Sequence, residues 1–314
     1  MFRRERKILT FIVVLAAGLG LFGAYLHRQD LRDLYGRWRQ GPLPPALTAA
    51  EVREQALSAP APSEVLSPSK DAAEGPPEAS GPAAAEVSSG MKAAGPATGQ
   101  PQPPAEQPAA VPASPPPPPA APAPLPAVMN LKVPMVYQTP LGNWDQVHED
   151  TCEEASALML KAFLDGRTEY SREEMDKDMQ AIVAYEIKTL GDYKSTDAAV
   201  TAQWMKGFLG LTGAEVLPVG SIDDVKRQVA AGRPVMLPCD GKALKNPNFK
   251  NGGPAYHMLV VKGWTATEII TNDPGTRKGA DYLYDPKILF DAIHDWNGGD
   301  VPHGAKVMIV VTKY

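Results

Sequence analysis

Cysteine is scarce in this chain of 314 residues. The only two, Cys152 and Cys239, do not belong to any CxxC pair. Disulfide-rich secreted domains need more cysteines, and common structural zinc sites need closely paired ones, so both classes are excluded. One disulfide, two free thiols or one reactive thiol remain possible.

An excess of basic charge is also missing. The chain has 31 Lys and Arg against 36 Asp and Glu, a net charge of -5. Residues 1–127 contain 11 of each sign, so the whole acidic excess belongs to residues 128–314. An acidic domain without a basic stripe argues against nucleic acid as a partner.

Large apolar residues are few between the two ends of the chain. Residues 42–127 are dominated by Pro, Ala, Ser, Gly and Glu. Such a composition cannot bury enough apolar surface to offset chain entropy, so it predicts a disordered spacer with polyproline II character. Together with a charged collar, this spacer occupies residues 27–127. As a coil, residues 42–127 would span on the order of 50 Å.

One long hydrophobic run is present near the amino terminus. Residues 8–26, ILTFIVVLAAGLGLFGAYL, contain no charge and follow a basic segment at residues 1–7. This length can span a bilayer, and the preceding charges place the amino terminus in the cytoplasm. We therefore predict an uncleaved, single-pass signal anchor in the lipid bilayer, with the folded domain on the extracytoplasmic side. A cleaved signal peptide is the alternative.

Two short patterns inside this run carry little information. The GxGxxG match at residues 18–23 lies in an apolar span without a βαβ unit, so no dinucleotide site and no cofactor are expected. Small residues at Ala16, Gly20 and Ala24 permit close packing of two membrane helices. They leave the oligomeric state open.

Residues 128–314 have the composition of one folded domain. Their pattern predicts helices first and strands afterwards, which is typical of an α+β fold with N-terminal helices packed on a C-terminal antiparallel sheet. The predicted helices are 152–165, 171–188, 196–209 and 221–231; the predicted strands are 234–237, 257–262, 268–271 and 306–312. A capping box of Ser171 and Glu174 marks the second helix start.

Cys152 is predicted in the first turn of a helix, with Asp150 or Thr151 as its N-cap. Unpaired N–H groups and the helix dipole stabilise a thiolate there, but by too little to ionise it at pH 7, and Glu153 and Glu154 oppose the effect. A reactive cysteine would therefore need a histidine cation beside it.

His257 is the candidate for that histidine. It opens an apolar strand, and Asp273 ends the next one, 16 residues later. A turn at residues 265–267 would make the two strands antiparallel neighbours and permit contact between His257 and Asp273. A carboxylate there would orient the imidazole.

Plainer interpretations of the same residues remain open. Cys152 could be a buried helix residue or pair with Cys239, and Cys239 by itself is typical of a core position. A metal site from Cys152, His257, Asp273 and His148 lacks any close ligand pair, so no metal is expected. His148, His294 and His303 are expected at the surface or in turns.

Six ordered blocks between residues 133 and 279 resemble the domain similar to cysteine peptidase family 39, a papain-like family that includes bacteriocin-leader peptidases and membrane-anchored bacterial proteins. The blocks are VPMVYQTPLGNW (133–144), DTCEEASALML (150–160), GRPVMLP (232–238), NPNF (246–249), YHMLVVKGW (256–264) and NDPGTRKG (272–279). The resemblance implies a papain-like cysteine peptidase fold.

The resemblance also implies roles for single residues. The nucleophile falls on Cys152, the base on His257, the orienting acid on Asp273 and the oxyanion-stabilising glutamine on Gln138, with Gln146 as its rival. The chain departs from the pattern by following its cysteine with glutamate, where glycine is usual.

The sequence thus predicts a membrane-anchored thiol hydrolase that cleaves peptide or amide bonds in a peptide or cell-envelope polypeptide through an acyl-enzyme. A non-catalytic peptide-binding or wall-binding module of the same fold is the alternative. The sequence predicts the same site residues for acyl transfer to an amine as for hydrolysis, so both reactions fit it.

Overall fold

The computed structural model describes residues 42–58 and 124–312. No helix within these residues is both long and apolar enough to cross a membrane. The predicted signal anchor at residues 8–26 lies outside the described part, as do residues 27–41 and 59–123 of the collar and spacer predicted at residues 27–127.

The described residues form an α+β fold. The helices are α1 (Ala49–Ser58), α2 (Cys152–Leu164), α3 (Arg172–Leu190), α4 (Ala198–Gly207), α5 (Ile222–Ala230) and α6 (Pro286–Ala292). The strands are β1 (Met129–Asn130), β2 (Ala214–Pro218), β3 (Val235–Cys239), β4 (His257–Trp264), β5 (Ile269–Asn272), β6 (Tyr282–Tyr284) and β7 (Val307–Val311).

All strands join one antiparallel sheet in the order β2-β7-β3-β4-β5-β6, and β1 pairs with the end of β4. Strand β4 is buried along all eight residues. Its continuous apolar sequence reflects this position, because neither of its faces meets water.

Antiparallel pairing brings two predicted site residues to one end of the sheet. Val260 of β4 pairs with Asn272, the last residue of β5. The start of β4 and the end of β5 therefore lie side by side, as the turn predicted at residues 265–267 required. His257 opens β4, and Asp273 directly follows β5.

Helix α2 packs across β4 and places Cys152 near the same end. The first nine residues of α2 are buried, and the Ser156 hydroxyl donates a 3.3 Å hydrogen bond to the carbonyl of Met258. Thr151 occupies the N-cap position, but its hydroxyl makes no capping bond and points at the carbonyls of Gln138 and His148, 3.4 Å away.

The four predicted helices of the domain are present, and the capping box of Ser171 and Glu174 opens α3. Three strands were not predicted, and the shortest of them, β1, has only two residues. Strand β2 is only partly buried and ends at Pro218, and β6 has three residues, so neither shows a clear alternation. The described helices and strands also interleave more than the prediction of helices first and sheet afterwards implied, because α5 and α6 lie between strands.

Residues 42–58, which we call the strap, fold onto the domain although they fall within the predicted disordered spacer. Leu47 forms a parallel bridge to Leu131, with bonds of 2.8 Å from its N–H to the Asn130 carbonyl and 2.6 Å from the Lys132 N–H to its own carbonyl. The Val52 side chain is 7% exposed and fills the space beside Gly232. The prediction of disorder therefore does not hold for the strap, because a few spaced apolar residues suffice when a sheet edge supplies hydrogen bonds.

Candidate active site

One open cleft of about 630 Å³ is lined by Cys152, His257 and Gln138 together with Glu153. Cys152 stands at the amino end of α2 and His257 at the start of β4, so the two elements deliver both side chains to one wall. Cys152 is 6% exposed and His257 is 1% exposed. Three of the four side chains predicted as catalytic thus line this cleft, and the fourth, Asp273, is fully buried and does not line it.

His257 is held by a carboxylate behind it. Its Nε2 lies 2.8 Å from Oδ1 of Asp273, an ion pair if the ring is protonated. The edge of the ring meets the Phe249 ring at a centroid distance of 5.1 Å. Since Nε2 faces Asp273, Nδ1 is the nitrogen that remains for a proton from a thiol.

Asp273 is fully buried, yet four donors surround its carboxylate. Besides His257, the Tyr284 hydroxyl donates at 2.7 Å, the Asn246 amide at 3.1 Å and the Gly275 N–H at 3.1 Å. Burial alone would raise the pKa of Asp273, but the His257 charge and these hydrogen bonds outweigh burial and keep that pKa below its usual value. The carboxylate is therefore ionised beside the imidazole.

The Cys152 thiol is not yet paired with His257. Its Sγ donates to Oε2 of Glu153 at 2.9 Å, and no hydrogen bond joins Sγ to His257 within the described part of the chain. Burial first, and then the charges of Glu153 and Glu154, raise the pKa of Cys152 well above its usual value. Cys152 is thus a protonated thiol in this arrangement.

Gln138 lines the cleft, but its amide N–H groups are already engaged. Nε2 donates to the carbonyls of His148 at 2.8 Å and Glu149 at 2.9 Å. The Cys152 backbone N–H, in contrast, has no acceptor among the described residues. Gln146 is exposed and is not among the residues lining this cleft. Of the two glutamines, geometry favours Gln138, provided that its amide turns.

Three buried carboxyl groups lie close to Cys152. Burial raises the pKa of Glu153 to about 7 and that of Glu186 to about 8, and it raises the pKa of Glu154 well above its usual value. The oxygens of Glu154 and Glu186 have no hydrogen-bond partner among the described residues, and the charge of Glu186 is a further cause of the raised pKa of Glu154. Both carboxyl groups are therefore protonated at neutral pH, because burial disfavours their charged forms.

The remaining histidines and cysteine have structural surroundings. His148 is 2% exposed and contacts Asp145 at 2.6 Å and Asp176 at 2.9 Å. It lies in a short 3₁₀ turn at His148–Asp150, so it takes the turn position of the two expected and not the surface one. Cys152 and Cys239 are both free thiols, and Cys239 is fully buried. No group of three or more His, Cys, Asp or Glu side chains in the described residues could hold a metal ion.

Several residues of the site were not singled out from the sequence. Asn246 and Phe249 lie in a block that resembles the family, but nothing local shows that they reach Asp273 and His257. Tyr284 belongs to the unpredicted β6. Glu153 was weighed only as a charge that opposes a thiolate, because a sequence does not show which way a side chain points.

A buried thiol at a helix amino terminus, a histidine at a strand start and an ionised carboxylate behind it are the components of a cysteine-peptidase type of site. The model of the peptidase C39-like family matches residues 130–297, which is more than half of the chain. The chain belongs to this family.

Among solved structures, the chain is similar to a protein named a candidate C39-like peptidase from Bacillus anthracis. The two are 18% identical, the match covers 59% of this chain and 97% of that one, and the TM-score is 0.38. A comparison with curated proteins found no match.

Proposed function

We propose that this protein is a thiol hydrolase that cleaves peptide or amide bonds, with Cys152 as nucleophile, His257 as base and Asp273 as orienting acid. The observation that carries the proposal is the 2.8 Å contact between His257 Nε2 and the buried Asp273 carboxylate, in a cleft that also contains Cys152. A histidine fixed in this way presents Nδ1 as an acceptor.

The chemistry begins when the Cys152 S–H turns from Glu153 towards His257. Nδ1 takes the thiol proton, and the sulfur attacks the carbonyl carbon of the substrate. The imidazolium is stabilised by Asp273 and returns its proton to the leaving amine. Water then hydrolyses the thioester by the same route, so Cys152 ends as a thiol.

The developing oxyanion needs donors. The Cys152 backbone N–H is free to serve, and the Gln138 amide becomes a second donor if it exchanges one backbone carbonyl for the substrate oxygen. One such donor contributes about 10²–10³ in rate in comparable sites.

The cleft accepts an extended polypeptide more readily than a small molecule, because it is open and its rim mixes aromatic and charged side chains. Trp144 is 42% exposed at this rim, with the Lys250 ammonium 5.6 Å from its ring centroid. We propose a peptide or cell-envelope polypeptide as substrate, reached from a signal anchor at residues 8–26 with the domain on the extracytoplasmic side.

A non-catalytic binding module is the second candidate, and one observation favours it. The thiol is bonded to Glu153, and the Gln138 amide is bonded to two carbonyls, so the groups that would attack and stabilise are both occupied. In such a protein the cleft would hold a peptide without cleaving it.

Iodoacetamide labelling of the full chain at pH 6, followed at each cysteine by mass spectrometry, separates the two functions. We expect Cys152 to react faster than the buried Cys239. His257→Ala and Asp273→Asn should each slow Cys152 roughly ten- to a hundredfold, because each removes a charged hydrogen-bond partner. His303→Ala is the matched control, since His303 pairs with Asp300 at the surface and lies away from the cleft.

Equal labelling of Cys152 in the wild type and in His257→Ala would contradict the hydrolase mechanism. Capture of envelope peptides that persists in Cys152→Ser, without turnover of any amide, would then favour the binding module.

A further inference from the structure

The side chain of Glu153 is the direct partner of the proposed nucleophile. Its Oε2 accepts the Cys152 thiol at 2.9 Å, and its Oε1 accepts the Thr196 N–H at 3.1 Å. The residue is 1% exposed and lines the cleft. Both carboxyl oxygens are therefore fixed, and one of them is fixed by the sulfur.

This bond competes with the proposed chemistry. A thiol has one proton to donate, and while that proton points at Glu153 it cannot reach Nδ1 of His257. A thiolate in the same place would face a carboxylate at hydrogen-bond distance, which disfavours ionisation. Ionised Glu153 thus holds sulfur as a thiol and turns it away from the base.

We propose that Glu153 is a positioning residue that keeps the Cys152 thiol in an unreactive orientation while ionised, and that its protonation releases the thiol to His257. The inference rests on the proposed function and adds to it a preference for mildly acidic conditions. The proton balance is simple. Solvent in the cleft supplies one proton to Oε2, and the thiol proton passes to Nδ1.

The neighbours of Glu153 place this change near neutral pH. The titratable groups that face it are Cys152 and Glu154 on its own helix, Glu186 on α3, and Tyr256 and His257 at the start of β4. Burial raises the pKa of Glu153 to about 7, against the opposing effects of its hydrogen bonds from Cys152 and Thr196 and of the His257 charge. Below about pH 7 the carboxyl is protonated, and above it the inhibitory bond is strongest.

Glu153 does not itself serve as the base. Burial and the adjacent carboxylates raise the pKa of Cys152 well above its usual value, whereas that of Glu153 is about 7, so the proton between them stays on sulfur. Glu153 acts through the orientation of the thiol.

The test is the pH dependence of iodoacetamide labelling of Cys152 in the full chain. An ordinary thiol labels faster as pH rises. We expect Cys152 in the wild type to label several-fold faster at pH 6 than at pH 8. In Glu153→Gln, whose amide oxygen can still accept the Thr196 N–H, labelling at pH 8 should exceed the wild type by roughly ten- to a hundredfold, with little difference at pH 5.5.

Glu173→Gln is the matched control, because Glu173 is an exposed glutamate that does not line the cleft. It should follow the wild-type profile. A Glu153→Gln profile identical to the wild type, or slower labelling at every pH, would overturn the inference. Should Glu153→Gln fail to fold, the wild-type profile decides alone, and a steady rise from pH 6 to pH 8 would overturn the inference.

The variant His257→Ala distinguishes failure of the positioning role of Glu153 from failure of the proposed hydrolase function. Without His257 the proposed function requires slow labelling of Cys152 at pH 6. If His257→Ala labels as fast as the wild type, the hydrolase mechanism fails. If only the Glu153 effect is missing, the mechanism stands and the positioning role fails.

Discussion

At the scale of single residues, the orientation of His257 is set by its surroundings as much as by Asp273. The Phe249 ring meets its edge, and Gly275 lies against its Cε1. A side chain at residue 275 has no room, because its Cβ would stand 2.8 Å from His257 Cε1 and 3.2 Å from the Phe249 ring. Gly275 is therefore needed for space beside the imidazole.

We expect Gly275→Ala to slow labelling of Cys152 at pH 6 by roughly a hundredfold, because a displacement of about 1 Å in a catalytic group can cost that much. Gly220→Ala is the control, since its Cβ would meet only Asp224 at an ordinary 3.5 Å. Equal labelling in both variants would show that the ring tolerates displacement.

At the scale of elements, the packing of α2 against α3 buries two carboxyl groups that lack hydrogen-bond partners among the described residues. These carboxyl groups belong to Glu154 and Glu186, and both residues are 0% exposed. Burial raises the pKa of Glu186 to about 8, so the pair stays protonated in the folded domain at a pH where the unfolded chain has lost those protons. This interface therefore weakens the fold as pH rises.

The direction in which stability changes with pH follows from the linkage between protonation and folding. A carboxyl whose pKa is raised on folding contributes stability that is complete below about pH 4.5, its ordinary value, and is lost as pH rises through about 8. We expect the Tm of the wild type to fall between pH 5 and pH 9. Glu186→Gln should reduce the slope of Tm against pH and raise Tm at pH 8 by roughly 3–10 °C. This corresponds to removing about 1–3 kcal/mol of the free-energy cost of burying the carboxyl group.

Thermal unfolding at several pH values measures this slope. Glu173→Gln, an exposed change on the same helix, should leave the slope as in the wild type. A steeper slope in Glu186→Gln would contradict the burial of a protonated Glu186 carboxyl group in the folded domain.

At the scale of the whole molecule, the strap changes how far the domain can reach. If residues 8–26 anchor the chain as predicted, residues 27–41 connect the anchor to the strap. As a coil, fifteen residues would span about 20 Å, compared with on the order of 50 Å for the spacer that the sequence predicted.

We expect the full chain, cut at a protease site inserted near residue 90, to remain one particle on gel filtration, because the strap stays bound to β1 and Gly232. Val52→Asp should release the amino-terminal fragment. Burial of a valine contributes about 1.5–3 kcal/mol, so its loss weakens the strap roughly ten- to a hundredfold.

Glu54→Gln, an exposed change on α1, is the matched control for Val52→Asp. If the wild-type fragments separate after cleavage, the strap does not bind the domain stably. The original prediction of a long spacer over residues 42–127 would then stand.

The sequence by itself determined the α+β class, the four main helices, the central strands and the three residues Cys152, His257 and Asp273 as candidates. Helical spacing, apolar runs and turn residues are local signals, and each of these features depends on them. The antiparallel neighbourhood of His257 and Asp273 also followed, because a short turn between two strands leaves little alternative.

Only the tertiary structure decided what surrounds these candidates. Four features depend on how separate parts of the folded chain meet. Asn246 and Tyr284 donate hydrogen bonds to Asp273, and Glu153 accepts the Cys152 thiol. The Gln138 amide donates to two backbone carbonyls, and the strap binds the sheet. Such contacts follow from how whole elements pack, and neither local propensity nor spacing along the chain specifies the direction of a buried side chain.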